Sequence, residues 1–160
     1  MTARQRGGAH LARPIGVRFT LAALAAMLLF ALPANAQSNG VLIISNDRGG
    51  VIGQRAKQIR DLRNSGQSIE IRGRVCLSSC TMYLGLPSTC IHPDTVFGFH
   101  GPSYYGTPLS PGDFEYWSHV IAAHYPEPLR RWYLETGRTR TAGHFRIRGR
   151  ELIRLGIKRC

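Results

Sequence analysis

Beyond residue 40 the apolar positions change their spacing several times, and each change marks an element. Val41-Leu42-Ile43-Ile44 is a short continuous apolar run, closed by the turn residues Asn46-Asp47-Arg48-Gly49-Gly50. Such a run suits a strand buried on both faces, as in a parallel sheet. From Gln54 to Leu62 the spacing turns helical. Ile59 and Leu62 share one face, Arg and Lys occupy the others, and Asn64-Ser65-Gly66 ends the segment. Ser68 to Val75 alternates Ile69 and Ile71 with Glu70 and Arg72, which predicts a second strand. A tight turn carrying Ser78 follows, then a short helix reaching about Leu86 before Pro87.

Thr95 to Phe99 predicts the next strand, with His100 directly after it, and Gly101 to Gly112 is a loop rich in Gly, Pro, Ser and Tyr. Asp113 to Tyr125 is helical, with Phe114, Trp117, Val120 and Ile121 on one face. Pro126 and Pro128 break it, Leu129 to Thr136 restarts a helix, and Gly149 to Leu155 predicts a last short one. Strands alternating with helices imply an α/β fold with right-handed βαβ crossovers and a parallel sheet.

Residues 1–36 follow another pattern. Arg4, Arg6, Arg13 and Arg18 stand without an acid, Phe19 to Leu32 is apolar, and Ala34-Asn35-Ala36 fits a small-x-small cleavage site. This predicts a cleavable secretory signal, and hence a periplasmic or secreted protein. The alternative is a membrane anchor formed by residues 19–32, although that run is shorter than the ~20 residues of a span. No Arg-Arg pair precedes it, which favours general secretion over twin-arginine export. Removing 36 of the 160 residues leaves 124, from Gln37 to Cys160, enough for one domain.

Charge and cysteine change this picture little. Downstream of Ala36 there are 17 Lys and Arg against 9 Asp and Glu, and Arg138 to Arg159 holds eight basic residues and one acid, Glu151. The reading favoured is a solvated basic face, with a weak contact to an anionic envelope surface as a further possibility. No nucleic-acid motif accompanies the charge. Cys76, Cys80, Cys90 and Cys160 all fall in the exported part, where disulfides persist, and they allow three pairings. Three of them flank Ser78, so one bridge there could brace the turn. Cys76 and Cys80 lack a second matching pair, so no metal is expected, and no cofactor either.

The chemistry is concentrated from Gly73 to Pro102. A small hydroxyl at a strand-to-helix elbow, with a histidine closing the next strand, is an arrangement suited to nucleophilic catalysis. The elbow lifts the hydroxyl clear of the sheet, and the helix N-terminus supplies free N–H groups for an oxyanion.

The Gly49-Gly50 turn after an apolar strand, Ser78 in Cys-x-Ser-x-Cys, and His100 in Phe-His-Gly-Pro resemble the proteolytic subunit of the Clp protease and its relatives. The dress of the elbow is similar to small, exported, bacterial members of the ClpP/crotonase superfamily. The resemblance spans about Val41 to Pro102, with a weaker echo over residues 151–157. It implies a ClpP-like domain with Ser78 as nucleophile and His100 as general base. It also implies an oxyanion hole from the N–H of Gly50 or Val51 with that of Ser79, an extended peptide or protein substrate, and a homo-oligomer. Two departures stand out. The family's aspartate is replaced by Thr141-Ala142-Gly143-His144-Phe145-Arg146, and the strand and helix that precede the Gly-Gly turn in the family are missing, so the domain is N-terminally trimmed.

Losing the acid of a triad costs a factor of ~10⁴ in turnover. Asp94 and Glu115 are the acids that could substitute. The expectation is therefore an exported, peptidase-like serine hydrolase using a Ser-His dyad or incomplete triad. The alternative is a catalytically inactive ClpP-like binding or scaffold protein of the cell envelope. Ser79 competes with Ser78 as nucleophile or as a helix cap. His92, His119 and His124 have weaker claims, Tyr116, Trp117, Trp132 and Tyr133 are expected to pack a helical lid, and Tyr104-Tyr105-Gly106 is either a groove wall or an ordinary surface loop.

Overall fold

The computed structural model describes residues 40–160; the signal segment expected at residues 1–36 lies outside them. The described chain is α/β. β1 (Leu42–Ile44) leads through the Gly-Gly turn into α1 (Ile52–Ser65), then β2 (Ile69–Ile71) and β3 (Val75–Leu77). A 3₁₀-helix (Ser78–Gly85) separates β3 from β4 (Thr89–Ile91), and β5 (Val96–Phe99) follows. The second half holds α2 (Pro111–Ala122), α3 (Leu129–Glu135), β6 (Phe145–Arg148) and α4 (Gly149–Arg154).

The strands form two three-stranded sheets rather than one. β1, β2 and β4 are parallel in that order, while β3 and β5 are parallel and β6 joins β5 antiparallel. The expectation of a wholly parallel sheet therefore holds for the first sheet and fails at β6. The single strand expected from Ser68 to Val75 is split, because the chain is pinned where it passes the end of β1. Arg72 and Gly73 both donate backbone N–H groups to the Ile44 carbonyl, at 3.0 and 3.2 Å. A Cβ on Gly73 would fall 0.9 Å from the Ser45 carbonyl oxygen, so no larger residue fits the crossing. Asn46 Oδ1 then accepts from the N–H of Arg74, at 2.8 Å, and the chain enters the second sheet.

β4 and β6 were not anticipated. β4 is three residues long, too short to show a period. β6 does alternate, with Phe145 and Ile147 packed against the core and Arg146 and Arg148 exposed. The expected helix after Ser78 is present as a 3₁₀-helix.

The core joins both sheets to the helices. α1 buries Ala56, Ile59 and Leu62 with Ile69, Ile71 and Ile91, and burying Ile59 and Leu62 stabilises by ~1.5–3 kcal/mol each. Phe99 meets Tyr125 and Trp132 edge to face, at 5.7 and 5.3 Å. Disulfides join Cys76 to Cys80 and Cys90 to Cys160. Among the described residues no helix is long and apolar enough to cross a membrane.

Candidate active site

β3 delivers the chain into Ser78, the first residue of the 3₁₀-helix, with φ of +56°. A non-glycine residue held there stores ~1–3 kcal/mol of strain and persists only where its surroundings over-determine it. Three contacts do so. The Cys76–Cys80 disulfide spans the residue. Thr81 Oγ1 donates to the Ser78 carbonyl at 2.7 Å. That uses the only proton of Thr81, so Tyr125 must donate its own to Thr81 Oγ1, at 2.5 Å. Gly49 fills the remaining side with φ of +96°, and a Cβ there would lie 2.5 Å from Ser78 Cβ.

His100 follows β5, and its Nε2 lies 2.8 Å from Ser78 Oγ, within direct proton-transfer reach. Its backbone is held by Tyr133, whose hydroxyl donates to the His100 carbonyl at 3.1 Å. Burial lowers the His100 pKa below its ordinary value, opposed by a backbone hydrogen bond at Gly101. The ring is thus neutral near pH 7, the form a general base needs.

No carboxylate among the described residues bonds His100. Asp94 pairs with Arg150, and Glu115 with Arg138 and His119. The ring of His144 lies against His100 instead, with centroids 4.9 Å apart and planes at 87°. Burial lowers the His144 pKa, and the charges of His100 and Arg146 add to this.

The backbone donors come from two segments. α1 begins at Ile52 with no side-chain cap and no acid in its first turn, and its first backbone bond runs from Arg55 N–H to the Val51 carbonyl. The N–H groups of Ile52, Gly53 and Gln54 therefore have no intrahelical partner. Gly50, Val51 and these three residues line the same cavity as Ser78 and His100. On the other side Ser79, in the first turn of the 3₁₀-helix, also has an unpaired N–H. Its hydroxyl is buried without a partner and does not line the cavity, so of the two serines only Ser78 faces the cavity.

The cavity measures about 650 Å³. Its walls include Ile52, Tyr104, Tyr105, Leu109, Trp117 and Ile121, and no Asp, Glu, Lys or Arg lines it. Tyr104 and Tyr105 stand at the rim of this cavity, and both are largely exposed. The expected helical lid is realised in part. Trp117 lines the cavity, Tyr133 anchors His100, Trp132 packs on Phe99, and Tyr116 is exposed.

His92, His119 and His124 stay outside the site. His119 pairs with Glu115, His124 Nδ1 bonds the Val120 carbonyl, and His92 Nδ1 accepts from the Asp94 N–H. Among the described residues no three His, Cys, Asp or Glu side chains cluster as metal ligands. Sequence reasoning gave Tyr133 to the lid and missed its bond to His100, and it missed the Thr81–Tyr125 pair and an Asp47–Arg55–Tyr83 chain. Only Asp47 left a local signal, standing two residues before Gly49, whose N–H it accepts at 2.7 Å. No family model, curated protein or solved structure matches this chain.

Proposed function

We propose that this protein is an exported serine hydrolase, peptidase-like in its chemistry, acting through Ser78 and His100. The observation that carries the reading is Ser78 Oγ held 2.8 Å from His100 Nε2, at a residue with φ of +56°, on the wall of a cavity. In this mechanism His100 Nε2 takes the Ser78 proton as Oγ attacks the substrate carbonyl. The N–H of Gly50 or Val51 and that of Ser79 receive the negative charge on the carbonyl oxygen, each such donor contributing ~3 kcal/mol. His100 returns the proton to the leaving group, and water attacks the acyl-serine by the same route reversed.

Support comes from several features. The uncharged cavity suits a substrate segment without charge. Two disulfides accord with an oxidising compartment, as the signal-like residues 1–36 predict. The likeness of the Gly-Gly, Ser and His order to ClpP-like proteins extends the proposal to a trimmed ClpP-like domain that assembles as a homo-oligomer. A fluorophosphonate probe should label the wild-type protein, and Ser78→Ala should abolish labelling. Labelling that survives Ser78→Ala would move the nucleophile elsewhere.

A second reading rests on one observation: His100 meets the His144 ring and bonds no carboxylate among the described residues. On that reading the protein binds peptide in the same cavity without cleaving it. Absence of labelling, together with calorimetric binding of uncharged peptides, would establish this in place of the first.

A further inference from the structure

Asp47, Arg55 and Tyr83 form a polar chain that touches neither the cavity nor the reacting pair. Its three members come from three segments: the turn after β1, helix α1, and the 3₁₀-helix that begins with Ser78. Asp47 uses both carboxylate oxygens. Oδ1 accepts the Gly49 N–H at 2.7 Å, and Oδ2 meets Arg55 Nη2 at 2.6 Å. Its backbone is laced to β3, donating to the Val75 carbonyl at 3.1 Å and accepting from the Leu77 N–H at 2.8 Å. Arg55 reaches on with Nη1 to the Tyr83 hydroxyl, and its guanidinium lies over the Tyr83 ring, 4.6 Å from the centroid. Tyr83 is fully buried, and the Arg55 and Asp47 side chains are only 12% and 19% exposed.

We infer that Arg55 is a positioning residue for the proposed reaction, fixing the Gly49-Gly50 turn against the Ser78 helix through Asp47 and Tyr83. The inference rests on the Ser78–His100 reading above. A partly buried ion pair need add little to stability, because desolvation offsets its attraction. What this one supplies is geometry. The guanidinium fork holds two partners at fixed angles, one behind the backbone donors and one behind the nucleophile. Gly49 sits directly against Ser78, so a shift of this turn moves the donors Gly50 and Val51 relative to Oγ. A misplacement of about 1 Å at a reacting centre typically slows reaction by ~10²-fold.

Lysine at position 55 keeps the charge but lacks the planar fork that bonds Asp47 and Tyr83 from separate nitrogens. The test is the kinetics of fluorophosphonate labelling, split into the maximal rate and the probe concentration at half-maximal rate, with thermal melting alongside. Arg55→Lys is expected to slow the maximal rate tenfold to a hundredfold, with half-saturation within about twofold of wild type and the melting point nearly unchanged. Asp47→Asn with Arg55→Lys should be no slower than the slower single variant, because both break one chain. Where Arg55→Lys fails to fold, Tyr83→Phe, which keeps the ring and removes the acceptor, should slow the maximal rate in the same way. Wild-type labelling at Ser78 with an equal maximal rate in a folded variant, Arg55→Lys or Tyr83→Phe, overturns the positioning role and leaves the hydrolase standing. A wild-type protein that does not label overturns both.

Discussion

The imidazoles of His100 and His144 meet edge to face, their centroids 4.9 Å apart, and no carboxylate among the described residues bonds His100. A neutral ring there fills space beside the base but brings no negative charge to an imidazolium. His144→Asp should therefore raise the rate of fluorophosphonate labelling at least tenfold, given the ~10⁴ attributed to that acid in the triad template. His144→Ala, which removes the ring and adds no charge, should change the rate much less. Equal rates for the two variants would show that charge at this position is irrelevant.

Acid should weaken the fold. Burial lowers the pKa values of His100, His124 and His144, so each binds its proton less readily when folded than the ordinary value of 6.5 allows. Groups with depressed folded values contribute stability that is fully present above the unfolded pKa and lost as pH falls through the folded one. The melting temperature should be level above about pH 7 and decline steadily below 6.5. The acid limb of Ser78 labelling should likewise lie below 6.5, where His100 becomes protonated.

The two disulfides should separate stability from chemistry. Cys90–Cys160 closes a loop with a sequence separation of 70, and Cys76–Cys80 one with a separation of 4. In the chain-entropy account the long loop is worth ~4 kcal/mol and the short one ~2 kcal/mol. Cys90→Ser with Cys160→Ser should lower the denaturation midpoint more. Cys76→Ser with Cys80→Ser should slow labelling more, because that bridge spans Ser78. The reverse ranking in both assays would contradict the bracing role.

Ser78 stores strain that glycine would release. Ser78→Gly and Ser78→Ala both remove the hydroxyl, but alanine keeps a Cβ at φ of +56°. Ser78→Gly should be more stable than Ser78→Ala by ~1 kcal/mol in urea titrations, the left-handed penalty less the entropy of glycine. Gly49→Ala should act the other way, losing both stability and labelling, since its Cβ would collide with Ser78.

Much of the site was legible because its parts follow one another along the chain. The apolar run over residues 41–44, the Gly-Gly turn, the strand before Ser78 and the strand before His100 each carry a local period or punctuation. The split of residues 68–75 into two strands was not legible, because it depends on Gly73 meeting Ser45, two loop residues far apart in the chain. Arg55 and Tyr83 are 28 residues apart, and Tyr133 is 33 from His100, so neither contact leaves a local pattern. β6 did alternate, yet its four residues are preceded by the Thr141-Ala142-Gly143-His144 loop and followed at once by α4.

Cys76 and Cys80 are fully buried around the residue proposed to react. Once joined, their sulfurs are shielded from reductants, so the bridge behaves as a latch that closes once. If Ser78 depends on it, a chain made in a reducing compartment is silent, and it matures only where thiols are oxidised. Activity would then be a matter of arrival. Reduced, unfolded protein should regain labelling in step with loss of free thiols, rather than with the earlier recovery of secondary structure.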